Sequence, residues 1–280
     1  MNFKLKALVA ALVLSASATS ANATIEVNAG NSELVFSAWD SLAGVGYTYD
    51  LNWSKFLNDM VGIDQATTTA GNTALASNAV VQSSMIGAGG VIFDDVLTGF
   101  NLAGSSNVQW NLSAIDQTGR TRLLMTQGDA GLPFTSTNNQ VKAAVTGYGT
   151  YYPQNNGLIT VPAADTFSTS TTTDGIKWPG NLGSTINGNI ADSSNVMGGQ
   201  SFMYFLAQTT QASSAAQALQ QQLFSFDGNA VVAKTYLQDG VWRLNISAAP
   251  IPEPETNAMF LAGLGLMGFI ARRRRNSLTK

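Results

Sequence analysis

In Val108-Gln109-Trp110-Asn111-Leu112-Ser113-Ala114-Ile115 apolar and polar residues alternate from Val108 to Ala114. Asp116-Gln117-Thr118-Gly119 follows with turn-forming residues, and Arg120-Thr121-Arg122-Leu123-Leu124-Met125-Thr126 returns. A period of two is the mark of a strand whose side chains point alternately to two faces. Two such runs joined by a short Asp/Gly turn predict a β-hairpin.

Working outward, the same pattern recurs. Glu33 to Trp39 and Val45 to Leu51 alternate around the short connection Asp40-Ser41-Leu42-Ala43-Gly44. Residues 201–207, 222–226, 230–237 and 241–247 read as further strands, with Asp227-Gly228-Asn229 and Gln238-Asp239-Gly240 as turns. In the last strand Trp242, Leu244 and Ile246 share a core face, and Arg243 and Asn245 a solvated one. Helical signals are few. Ser54 to Gly62 has a Ser cap, helically spaced apolar residues and a terminal Gly. Residues 79–86 add a turn or two, and the Ala/Gln-rich segment 212–221 is either a helix or a long loop. Residues 147–159, 166–175 and 181–199 are polar and lack apolar periodicity, so they read as loops. The hydroxyl-rich run 168–173 reads as exposed loop, with O-glycosylation as an alternative. The expected fold is mostly β: an antiparallel β-sandwich or jelly-roll-like body with one or two short helices, plus a single apolar C-terminal helix.

Both ends carry addresses. Lys4 and Lys6 precede an apolar core over residues 7–14, and Ala21-Asn22-Ala23 is a small-x-small cleavage site placing the mature start at Thr24. That order is the pattern of a secretory signal peptide. At the other end, Pro252-Glu253-Pro254 leads into an apolar run over 258–271 and then Arg272-Arg273-Arg274-Arg275. The run is shorter than the roughly 20 residues of a stable span. Snorkelling arginine stems extend its usable length, and a basic cluster beside a span stays cytoplasmic. Gly263 to Gly268 matches G-x-G-x-x-G by chance: no strand precedes it and no acid follows about 20 residues on.

This C-terminal order resembles the PEP-CTERM sorting signal of Gram-negative bacteria, over about residues 251–275. The resemblance implies a membrane-embedded exosortase as partner, cleavage at the motif, and release or transfer of the body to the cell surface or outer membrane. It also implies exopolysaccharide and biofilm matrix as the setting. The domains expected are a signal peptide (1–23), a β-rich extracellular body (24–250) and a sorting signal with a short transmembrane helix (251–276). Signal peptidase and the Sec export machinery handle the first, and the inner membrane holds the last transiently.

Composition limits the chemistry of the body. The 280 residues include no cysteine and no histidine. Thiolate chemistry, a Ser-His-Asp triad and the common zinc designs are thereby excluded. Between Thr24 and Ile251, seven Lys and Arg stand against fifteen Asp and Glu, a net of −8. An acidic body without basic clusters is no nucleic-acid binder, since phosphate neutralisation needs Lys and Arg. No cofactor is expected. Asp94-Asp95 is the one adjacent acid pair in the body. It reads first as a surface or turn feature, with calcium as the alternative, because that ion takes carboxylate oxygens. As strand neighbours the two point to opposite faces, which makes them a poor catalytic dyad. The oxygen-rich turns at 187–192 and 227–229 complete no calcium loop. Trp53, Trp178, Tyr148, Tyr151 and Tyr152 sit in loop-like contexts where they pack or stack on sugar rings; Trp39, Trp110 and Trp242 belong to the core. The expected function is a non-enzymatic surface or matrix protein. The alternatives are a carbohydrate-binding module and a carboxylate-based glycan-active enzyme.

Overall fold

A computed structural model describes residues 25, 33–51, 86–102, 107–117, 121–128, 135–159, 166–190, 193–209, 215–222 and 230–248. The chain divides into two compact units, Met1–Ala248 and Ala249–Lys280. All described residues lie in the first. The predicted signal peptide, the helix expected over 54–62, the turn at 227–229 and the apolar run 258–271 lie outside them.

The body is a curled antiparallel sheet. Its strands are β1 (Val35–Asp40), β2 (Val45–Asp50), β3 (Val91–Val96), β4 (Val108–Asp116), β5 (Arg122–Gln127), β6 (Thr166–Thr171), β7 (Asn195–Val196), β8 (Gln200–Ala207), β9 (Leu219–Gln222), β10 (Val232–Gln238) and β11 (Val241–Ser247). They hydrogen-bond in the order β3-β11-β10-β8-β5-β4-β1-β2-β6, with β7 on β4 and β9 on β8. The hairpins expected at β1–β2, β4–β5 and β10–β11 are present. The sandwich or jelly roll resolves into something simpler. One continuous sheet folds over on itself, instead of two sheets facing each other.

The curl follows from how the inner face is filled. Phe36, Tyr47, Trp110, Leu112, Leu124, Phe205, Leu244 and Ile246 belong to one buried cluster. Phe36 and Trp110 stack with ring centroids 5.7 Å apart. Burying each such side chain stabilises the fold by roughly 1.5–3 kcal/mol. The two edges of the sheet meet through the segment after β3. Phe100 packs edge-on against Tyr47 of β2 at 5.1 Å and against Trp242 of β11 at 6.4 Å. The Tyr47 hydroxyl donates to the Thr98 carbonyl at 2.6 Å. Gly99, at φ +70°, lies so close to the Phe167 ring of β6 that a Cβ there would fall 2.2 Å from it. The result is a half-barrel closed on its open side by a single loop.

The outer face of β1, β4, β5 and β8 carries α1 (Asn138–Asn156). This corrects the loop expected over 147–159. Residues 147 and 149 are glycine and 153 is proline, which weakens helix propensity. Packing overrides it: Val141, Ala144, Val145, Tyr148, Tyr151, Tyr152 and Asn155 fall at i, i+3, i+4 spacing and are all buried. The start is fixed by a capping box, with Thr137 accepting from the Gln140 amide and the Gln140 side chain accepting from the Thr137 amide. Two other loop expectations change. Residues 166–171 form the edge strand β6. The 212–221 segment is not helical where it is described, since residues 219–222 form β9. Among the described residues, no helix is long and apolar enough to cross a membrane.

Candidate functional site

The polar half of the strand alternation does not face water. Ser37, Thr48, Asn111 and Ser113 project from the outer sheet face into the layer beneath α1, and all are buried. Three helix tyrosines meet them. The Tyr151 hydroxyl bonds Ser37 at 3.3 Å and also bonds Thr48. The Tyr152 hydroxyl pairs with Ser113 Oγ at 2.7 Å and donates to the Ser113 carbonyl at 3.0 Å. Asn111 Nδ2 donates to the Tyr148 hydroxyl at 3.3 Å. Burial pushes the Tyr148 phenol up to about 12 and moves Tyr151 and Tyr152 upward as well, because a phenolate would be stranded from water. These tyrosines are a dovetail between helix and sheet, not a sugar-stacking platform. Trp39 and Trp110 are core as expected. Trp178 leans on Gly46 of β2, and its buried indole Nε1 has no partner among the described residues. Trp53 lies outside the described residues.

Asp94 and Asp95 of β3 take separate directions. Asp94 accepts from the Tyr236 hydroxyl at 2.9 Å, from Arg243 Nε at 3.1 Å and from Asn245 Nδ2 at 3.1 Å. A 3.0 Å ion pair to Arg243 Nη2 completes the set. Asp95 turns back to the Val96 amide at 2.7 Å. The network ties the edge strand β3 to β11 and β10. The face expected to be solvated is only half so, since Asn245 is buried. Among the described residues no group of three or more carboxylates or other metal-binding side chains converges. The turn at 187–190 is built on left-handed backbone at Asn187 (φ 56°) and Gly188 (φ 74°), with Asn189 Nδ2 donating to the Ile186 carbonyl at 3.1 Å. Its oxygens serve the turn.

A concave feature of the described residues sits at one mouth of the half-barrel. An open cavity of about 670 Å³ is lined by Asp40, Ala43, Val45, Gly46, Asn101, Leu102, Thr169, Ser170, Thr171 and Asp174. Its walls are the β1–β2 turn, the end of β6 with its following 3-10 turn (Thr172–Lys177), and the loop that closes the sheet. Barrel mouths of this volume are common small-molecule sites. Both carboxylates in it are held by backbone. Asp40 Oδ1 accepts from the Leu42 and Ala43 amides at 2.8 and 3.0 Å. Asp174 Oδ2 accepts from the Thr171 amide at 2.7 Å and the Thr171 hydroxyl at 2.9 Å. Those two bonds, the backbone one foremost, lower the Asp174 pKa, so the group is ionised near neutrality. From the sequence, Asp40 and Ala43 read as a hairpin connection, Val45 and Gly46 as a strand, and Thr169, Ser170, Thr171 and Asp174 as loop; none of them is marked as a binding site. Ser168 and Ser170 of the hydroxyl-rich run are buried. No local signal marks Asp40, Asn101 and Asp174 as neighbours, because the sheet's curl brings them together.

The sorting and processing residues Ala21, Ala23, Thr24, Pro252, Glu253, Pro254 and Arg272 to Arg275 lie outside the described residues. Ile25, next to the expected cleavage site, is buried against α1, its amide donating to Asn156 Oδ1 at 2.8 Å and its carbonyl accepting from Asn156 Nδ2 at 3.2 Å. No curated protein and no solved structure matches the chain. The model of the PEP-CTERM protein-sorting motif matches residues 250–275. The chain therefore bears a PEP-CTERM protein-sorting motif over residues 250–275, which implies an exported protein processed by an exosortase.

Proposed function

We propose that this protein is a non-enzymatic component of an exopolysaccharide-rich surface or biofilm matrix, exported as a precursor and trimmed at both ends. The observation that carries this reading is the sorting motif at residues 250–275. It is supported by a body with neither histidine nor cysteine. It is also supported by the mouth carboxylates Asp40 and Asp174, each spent on backbone amides instead of being poised for proton transfer.

Processing is tested by intact-mass analysis of the protein released from the cell surface. The mature form lacks residues 1–23 and the segment beyond the Pro-Glu-Pro motif, and alanine at Pro252, Glu253 and Pro254 leaves a membrane-bound precursor. A mature form that keeps Arg272 to Arg275 contradicts the reading. Placement is tested by fractionation: the protein co-purifies with the extracellular polysaccharide. Release of new reducing ends from that polysaccharide by the purified protein would show an enzyme instead.

A further inference from the structure

The described strands give the body a polarity. β1 runs from Val35 to the mouth at Asp40, and β11 starts at the mouth with Val241 and leaves at Ser247. In register, Asp40 lies opposite Val108 and Val45, and Val45 lies opposite Thr171, so these positions share one end. The start of β8 and the ends of β7, β10 and β3 belong to the same end. The large exposed hydrophobic residues found among the described residues are Leu42, Val196, Leu237 and Val241. All four stand at this end: Leu42 at the β1–β2 turn, Val196 in β7, Leu237 and Val241 at the β10–β11 turn. Val35 and Ser247, through which the chain enters and leaves the sheet, stand at the other. The cavity and these exposed apolar residues thus gather at the end of the sheet opposite Val35 and Ser247.

We propose that this mouth is a binding site for a neutral polyhydroxylated ligand, a hexose unit of an uncharged glycan. The cavity volume of about 670 Å³ suits one or two sugar rings. Thr169 and Asn101 offer a hydroxyl and an amide that both donate and accept, and the Asp174 carboxylate, whose bonds to Thr171 both fall on Oδ2, presents Oδ1 to a sugar hydroxyl. Val45 and Leu102 supply apolar wall for the C–H face of a ring. Among the described residues no Lys or Arg lines the cavity, and its two carboxylates repel a uronate or a sulfated sugar. The exposed Leu42, 82 % accessible, lies beside the cavity rim on the same turn as Ala43. The proposal rests on the reading of the protein as a matrix component, for which it names the ligand.

The test uses the full chain in detergent, with cellohexaose, dextran and mannan as neutral probes and alginate as the anionic one, read by calorimetry. The expected result is saturable binding of at least one neutral glycan and none of alginate. Asn101→Ala and Thr169→Val, both at exposed positions, then weaken that binding by about ten-fold or more, a loss of one hydrogen-bonded contact's size. Gln154→Ala, on the exposed side of α1, binds as the parent does, and all three variants keep the parent melting temperature. Failure to bind any neutral glycan, equal binding of alginate, or unchanged binding by the Asn101 and Thr169 variants overturns the proposal. None of these outcomes bears on surface placement, which mass and fractionation measure separately.

Discussion

The hydroxyl layer under α1 sets how the body responds to pH. Tyr148, Tyr151 and Tyr152 are three of the seven tyrosines, and burial raises the pKa of each in the folded state above the ordinary value of 10.0. Between the unfolded and folded pKa the native state holds more protons than the unfolded chain. The stability these groups contribute is therefore complete below pH 10 and is lost as pH rises through the folded values. Above about pH 10 the unfolding free energy falls by about 1.4 kcal/mol per pH unit for each ring. Absorbance at 295 nm shows at least three tyrosines that ionise only as the protein unfolds; a titration in which all seven ionise before any loss of structure runs against this account. Tyr152→Phe removes one partner of the buried Ser113 hydroxyl and the donor to the Ser113 carbonyl, and costs about 1–3 kcal/mol, measured by urea unfolding.

At the scale of the element, α1 shows how a helix forms against its propensity. Thr137, Asn138, Asn139 and Gln140 spell a T-x-x-Q capping box, and the buried stripe from Val141 to Asn155 keeps helical period through two glycines and a proline. Both signals are legible in the sequence. They were masked by a composition that resembles a loop, because Gly, Thr, Asn and Pro are poor helix formers taken one by one. Thr137→Ala removes the acceptor for the Gln140 amide and costs about 0.5–2 kcal/mol, seen as a lower urea midpoint with an unchanged slope. β6 was hidden for the opposite reason. Thr-Phe-Ser-Thr-Ser-Thr has one large apolar residue, so its alternation is invisible until β2 supplies the partner strand and Asn155 the bond to Ser168 at 2.9 Å.

For the molecule as a whole, closure of the half-barrel depends on one tight approach. Gly99 sits in left-handed backbone with the Phe167 ring against its Cα. Gly99→Ala adds backbone strain of roughly 1–2 kcal/mol and overpacking of roughly 1–3 kcal/mol. The variant melts lower, and loosening of the mouth is read as faster amide exchange at Phe100 and Asn101. A variant with parent stability and exchange would show that the loop does not hold the sheet closed.

The sequence by itself determined the strands of the three hairpins, the histidine- and cysteine-free chemistry and the export address, because alternation, composition and short linear motifs act over neighbouring residues. It pointed to a tyrosine-rich loop where there is a helix and to two sheets where there is one, and it read Asp94-Asp95 as a surface or turn pair, with calcium as the alternative, without marking Arg243, Tyr236 and Asn245 as partners of Asp94. Only the tertiary structure decided those points. Curling one sheet brings Asp40, Asn101 and Asp174 to a common mouth, and burying its second face turns Ser and Thr from solvent-facing residues into partners for tyrosine. Both depend on contacts between residues far apart in the chain, which no local pattern encodes.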